Sequence, residues 1–183
     1  MILAREEILK RMERGELVTD LLSRSQVQQA GVDLTVGRVY RLEGTGALDF
    51  DNSRRKICRY EDIPIEDDHW DLDSGTYHLA MNERIVLPRD VCGLLLPRSS
   101  ALACGMTIHS ALWDPGYRGR SFIHTVVTRR VRLYRNARVA QMVFIQVKGE
   151  AVTYSGMYLD EDVLRLGRRG RQERLIPEGE RKA

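Results

Sequence analysis

Two periodicities divide the chain. In residues 4–14, AREEILKRMER, the apolar Ile8, Leu9 and Met12 recur at helical spacing among charged residues, and Gly15 follows as a stop. That pattern predicts one amphipathic helix. A second, shorter helical turn is expected in SRSQVQQAG, starting at Ser23 or Ser25, where a hydroxyl can cap backbone amides, and ending by Gly31. VDLTVGRVYRL then alternates as a strand does. Residues 43–76 are charged, weakly periodic and rich in Gly, Asn, Asp and Pro, and read as loops with short edge strands. From Tyr77 onward the chain becomes a series of short β-rich runs: YHLAMNERIVLP, VCGLLLP, GMTIHSALW, RSFIHTVVT, RRVRLYR and RVAQMVFIQV, separated by turn residues. This spacing predicts an all-β sandwich or barrel with little helix. No repeat of 20 to 50 residues is visible.

Composition narrows the picture. With 183 residues, 43% hydrophobic and 30% charged, the chain suits one folded domain with a real core. Its apolar runs are far shorter than the roughly 20 residues that cross a bilayer. Met1–Ala4 leads directly into charged sequence without an apolar signal region, so a cytoplasmic location and no membrane partner are expected. The formal charge of +3 does not argue for a nucleic-acid partner. The basic C-terminal stretch RLGRRGRQERLIPEGERKA also contains acidic residues and reads as a solvated tail. Cys58, Cys92 and Cys104 are odd in number and widely spaced, which suggests neither a disulfide framework nor a zinc site.

Several chemistries are missing from the pattern. There is no Walker A loop, no Gly-x-Gly-x-x-Gly between a strand and a helix, and no His-Glu-x-x-His pair. The His-x-Glu and Pro-Cys-x-x-Cys of zinc deaminases are also absent. His109 and His124 fall in predicted strands, and His69 and His78 near predicted loops. None has a partner at ligand spacing, so each reads as a structural histidine.

Three short segments carry the remaining chemistry. LLLPRSSALACG ends an apolar strand and presents Arg98, Ser99 and Ser100 together. A guanidinium fork beside two hydroxyls can hold phosphate oxygens, although a capped turn uses the same residues. SALWDPGYRGR sets Asp114 before a Pro-Gly turn, followed by Tyr117 and Arg118; Asp114 is turn chemistry or a general base. NARVAQMVF places the amide of Gln141 near the start of an apolar strand, as a satisfied core amide or a ligand contact.

In order along the chain, AGVDLTV (30–36), PRSSALACG (97–105), ALWDPGYRG (111–119) and ARVAQMVF (137–144) resemble the successive motifs of the superfamily of trimeric dUTP pyrophosphatases and dCTP deaminases. The similarity covers about residues 25–150 and is greatest to the archaeal-type dUTPases. It implies a mainly β, distorted barrel or jelly-roll-like fold (the β-clip of dUTPases) with a short N-terminal helix. It also implies one domain over residues 1–183, with a core at about 25–150 and a tail at about 151–183. The implied activity is Mg²⁺-dependent hydrolysis of dUTP to dUMP and pyrophosphate by a homotrimer with sites between subunits. On the same resemblance Asp114 is the catalytic carboxylate that activates water. Arg98, Ser99, Ser100 and Gln141 bind phosphate, and Tyr117 packs against the deoxyribose. Asp33 is linked to the Mg²⁺ site through water, and backbone groups of residues 108–113 read the uracil.

Two departures separate the branches of the superfamily. The deaminases use a glutamate ten residues after the motif aspartate, and here that position is His124; Ala103 stands where they carry an arginine. Both changes argue against deamination, since histidine would have to replace a carboxylate general base and its geometry together. The glycine-rich closing arm of most trimeric dUTPases is also missing, which leaves the GRRGR tail or residues 153–162 to cover the site. The alternatives are a dCTP deaminase, a bifunctional enzyme, or a nucleotide-binding regulatory protein without catalysis.

Overall fold

The computed structural model describes residues 1–165; the basic tail from residue 166, including GRRGR, lies outside the described residues. The amphipathic helix forms as α1, Arg5–Glu13, with Ile8 fully buried and Leu9 and Met12 packed against the core. The periodicity did not identify Arg11, which is also buried because its guanidinium is held by Asp90 at 2.6 and 3.0 Å and by Glu7 at 2.9 Å. The second helical turn is shorter than expected. It is a 3₁₀ turn over Arg24–Gln26, capped by Ser23 through a reciprocal capping box with Gln26, and the chain is extended again at Val27.

Among the described residues thirteen strands form, most from the expected runs, whereas the short strands Leu17–Thr19, Arg118–Arg120 and Glu161–Asp162 lie essentially outside them. They are β1 (Leu17–Thr19), β2 (Val32–Glu43), β3 (Arg59–Asp62), β4 (His69–Leu72), β5 (Gly75–Met81), β6 (Arg84–Val86), β7 (Val91–Pro97), β8 (Met106–His109), β9 (Arg118–Arg120), β10 (Phe122–Val127), β11 (Val131–Tyr134), β12 (Arg138–Gln146) and β13 (Glu161–Asp162). The largest sheet runs β7-β12-β2-β5-β10-β8, with β3 also pairing β2; a second runs β1-β6-β9-β13, and β4 pairs β11. All pairings are antiparallel except β13 with β9. Together they form the distorted, nearly closed barrel that the strand spacing and the resemblance implied. Its core is lined by residues such as Leu34, Leu79, Ile123, Met142 and Phe144.

Three local differences have physical causes. The run 77–88 is two strands, because the chain turns at Asn82 and Glu83 to leave one sheet for another. His78 therefore lies within β5, not near a loop. The stretch after β7 is a five-residue helix, α2 (Ser99–Ala103), too short to show a hydrophobic period. Strand β2 pairs with β12 through Val32–Thr35 and with β5 beyond Val36, bending at Gly37. A β-carbon at Gly37 would come within 2.4 Å of the Asn82 side chain, so the bend requires glycine.

Candidate active site

The residues singled out from the sequence gather in two places. The first lies where β7, β12 and β2 run side by side. Gln141 is directly opposite both Asp33 and Leu96 in the ladders, and Arg98 follows β7, its backbone N–H donating to Val139 O at 2.9 Å. The Asp33 carboxylate is only 1% exposed. Its Oδ1 accepts from Gln141 Nε2 at 3.3 Å, and its Oδ2 lies 3.2 Å from Arg98 Nε and 3.6 Å from Arg138 Nη1. Neither guanidinium contact meets hydrogen-bond geometry at Oδ2. The attraction there is ionic, in a setting that screens it poorly. Ser99 and Ser100 open α2 next to Arg98, with both side chains exposed.

A magnesium ion takes oxygen ligands and retains several waters. The Asp33 carboxylate is contacted by Arg98, Arg138 and Gln141, and its Oδ2 makes no hydrogen bond among the described residues. Its contacts make it the counter-ion that fixes Arg98, Arg138 and Gln141.

Neighbouring groups hold that arrangement. Glu83 is fully buried, and its carboxylate accepts from Gln26 Nε2 at 2.6 Å, Thr35 Oγ1 at 2.5 Å and Thr35 N at 2.9 Å. Gln26 Nε2 also donates to Asp33 O at 2.9 Å. Burial raises the Glu83 pKa, opposed by the bonds from Thr35 and Gln26. No motif pointed to Glu83 or Gln26; the only hint was that both are polar beside apolar runs.

The second place is a groove beside the Pro-Gly turn. Leu112, Trp113, Tyr117 and Phe122 form one side, Tyr154 and Tyr158 the other, and Asp114 lies among them. Asp114 is exposed, and its carboxylate makes no hydrogen bond or ion pair among the described residues. Its backbone carbonyl closes the turn by accepting from Tyr117 N at 3.1 Å, which fixes the aromatic ring relative to the carboxylate. Tyr117 is buried with its ring 5.6 Å from that of Tyr154. Of the expected base-reading backbone, Met106–His109 is paired with β10 and Trp113 with Gly93. Ala111 and Leu112 have no main-chain hydrogen bond to the other described residues, and Ser110 Oγ is buried without a partner among them. Met106–His109 is an edge strand, paired with β10 on one side only.

Residues 153–162 lie along this groove, the second of the two covers considered from the sequence. Tyr154 N donates to Pro115 O at 2.9 Å, Asp160 N donates to Arg118 O at 2.7 Å, and β13 then pairs with β9. The Asp160 carboxylate binds Arg118 at 2.9 Å and Arg84 at 2.8 Å, and these bonds, that to Arg118 foremost, lower its pKa. Gly116 has φ +82°, and a β-carbon there would lie 2.2 Å from Thr153, so both the turn and the overlying segment require glycine.

His124 does not line the groove. Its ring faces the neighbouring strands, with Nδ1 3.2 Å from His78 Nε2 and ring centroids 6.1 Å from His109. Burial first, then the charge of His109, lowers its pKa. Among the described residues no group of three or more His, Cys, Asp or Glu is placed to hold a metal, and no helix is long and apolar enough to cross a membrane.

Comparison with known proteins places the chain in a family. The chain is 39% identical over 141 residues to the deoxyuridine 5′-triphosphate nucleotidohydrolase of Methanocaldococcus jannaschii, covering 76% of this chain and 90% of that one. It is 37% identical over 165 residues to a probable deoxyuridine 5′-triphosphate nucleotidohydrolase of Archaeoglobus fulgidus, covering 88% and 98%. Among solved structures, the 2′-deoxycytidine 5′-triphosphate deaminase of Agrobacterium tumefaciens shares the fold at 20% identity and a TM-score of 0.62, covering 78% of this chain and 47% of that one. The sequence profile of the dCTP deaminase-like family matches residues 2–147, and the chain belongs to that family.

Proposed function

We propose that this protein hydrolyses dUTP to dUMP and pyrophosphate. The observation that carries the reading is the unpaired Asp114 carboxylate, held by its turn beside Tyr117, on a chain that also carries a fixed cationic and hydroxyl cluster. The name shared by the archaeal relatives supports it. Asp114 takes a proton from water as the water oxygen attacks the α-phosphorus. The bond from the α-phosphorus to the bridging oxygen breaks, and pyrophosphate leaves. Arg98, Ser99, Ser100 and Gln141 hold phosphate oxygens, Tyr117 packs against the deoxyribose, and the open backbone of Ala111 and Leu112 pairs with uracil. Mg²⁺ arriving with the triphosphate would supply positive charge to the phosphates, while Arg98 and the hydroxyls of Ser99 and Ser100 would hold their oxygens.

Both halves are required at one phosphate, yet Arg98 and Asp114 are far apart on one chain. Trp113 pairs with Gly93, and five strand positions from Gly93 to Arg98 span roughly 16 Å. A general base acts only within hydrogen-bond reach of its water. Between the halves Leu94, Leu96, Leu102 and Leu112 are 36–55% exposed, an apolar patch suited to a second copy of the chain. The active form we propose is the homotrimer that the resemblance implies, with one subunit's Asp114 facing another's Arg98.

The test is to supply dUTP and dCTP separately with Mg²⁺ and follow pyrophosphate and ammonia. Pyrophosphate from dUTP without ammonia from dCTP is expected. Ammonia would establish the deaminase alternative, and tight dUTP binding without turnover the regulatory one.

A further inference from the structure

We infer that Arg138 is a second guanidinium of the phosphate site, aimed there by a β-bulge and held by the same carboxylate that holds Arg98. In a regular strand, residues 138 and 141 are three apart and point to opposite faces. Here the register of β12 against β2 shifts between Arg138 and Ala140, so that Arg138 lies opposite Thr35 and Gln141 opposite Asp33. Thr35 and Asp33 are two apart and share a face, so the bulge puts Arg138 and Gln141 on that face together. Bulges re-aim side chains in this way. The result is visible at the carboxylate, which is contacted by Gln141 at 3.3 Å and by Arg138 at 3.6 Å.

Charge balance gives this placement a consequence. One guanidinium is enough to compensate one buried carboxylate, and Arg98 at 3.2 Å supplies it. Arg138 adds a positive charge that Asp33 does not cancel. Its other bond, from Nη1 to Ser25 O, is long at 3.4 Å, and its remaining donors have no partner among the described residues. The side chain is 41% exposed, so the donors are accessible. Arg98 Nη1 donates to the Arg138 carbonyl at 3.2 Å, tying the two arginines together at adjoining strand ends beside the exposed hydroxyls of Ser99 and Ser100. Two guanidiniums fixed by one acid, with donors left over and hydroxyls alongside, form a receptor for a polyanion with several oxygens, such as a di- or triphosphate chain. Arg138 accordingly contributes to the β- and γ-phosphates more than to the nucleoside.

This inference rests on the dUTP reading, and its test separates the two. Arg138→Ala and Arg138→Lys are compared with wild type for dUTP turnover and for binding of dUMP and of the non-hydrolysable α,β-imido-dUTP. Arg138→Ala is expected to raise KM for dUTP and weaken the imido analogue roughly tenfold or more, with about twofold or smaller effects on dUMP, as for loss of charge-assisted bonds to the outer phosphates. Lysine is expected to restore part of the loss. Equal weakening of dUMP and the imido analogue, or no weakening of either, overturns the assignment. Calorimetric binding of the imido analogue reads Arg138 without turnover, and wild type that binds it but releases no pyrophosphate from dUTP overturns the function and leaves the Arg138 result standing. If the alanine variant does not fold, Arg138→Gln gives the same comparison.

Discussion

The Asp33 cluster and the Asp114 groove contain the same kind of group, a carboxylate among Arg or Tyr side chains, in opposite states. Asp33 is buried, engaged on both oxygens and fixed from behind by the Glu83 and Gln26 bonds. Asp114 is exposed, has no side-chain partner among the described residues, and sits on a turn whose backbone bonds define its position. In the proposed reaction the two do different work: Asp33 would arrange cations for the leaving phosphates, and Asp114 would handle the proton.

Removing the buried member has the largest expected effect. Asp33→Ala leaves Arg98 and Arg138 without their shared counter-charge and no longer held in place. Steady-state kinetics with dUTP should show kcat/KM reduced by about a hundredfold or more, with a lowered melting temperature. Unchanged kinetics would mean the cluster does not bind phosphate.

A smaller effect is expected at the segment over the groove. Asp160→Asn weakens its two ion pairs to Arg118 and Arg84, which are partly exposed and contribute little to global stability. Faster hydrogen exchange at the Tyr154 amide and a KM for dUTP raised by roughly threefold are expected, with the melting temperature nearly unchanged. A large drop in melting temperature without a change in KM would make the segment structural only.

How much of this was legible in the sequence differs between the two places. Asp114, its turn and the Tyr117 ring are contiguous, so ALWDPGYRG contained all three, whereas Tyr154 and Tyr158 come from far along the chain. The cluster is built across three strands. Asp33, Arg98 and Gln141 could be named from motifs, but their mutual contacts depend on strand order. Arg138 was hidden because alternation assigns it to the face opposite Gln141, and only the bulge reverses that. Glu83 and the 153–162 segment act through partners 48 to 57 and about 40 positions away, as in Glu83 with Thr35 and Gln26 and Asp160 with Arg118. No local period reports such pairings. The strands and α1 were legible because each is a local pattern, whereas α2 was too short to have one.

The smallest expected effect concerns His124, the residue that departs from the deaminases. Its pKa is lowered from the ordinary 6.5 by burial and by His109, so between that value and the folded one the unfolded chain binds more protons than the fold. Stability is therefore full above pH 6.5 and declines as pH falls below it. Thermal melting across that range should show the decline in wild type and a shallower one in His124→Asn. An identical slope in both would place the acid sensitivity elsewhere.

The most direct measurement mixes two disabled chains. Asp114→Asn and Arg98→Ala are each expected to be nearly inactive toward dUTP. After co-refolding in equal amounts, random trimers should regain roughly a quarter of wild-type sites, those in which an intact Asp114 faces an intact Arg98 of the adjacent copy. Recovery near that fraction is the predicted result. Mixed trimers that form but remain inactive would contradict the shared site, and full activity in Asp114→Asn alone would contradict its role as the base.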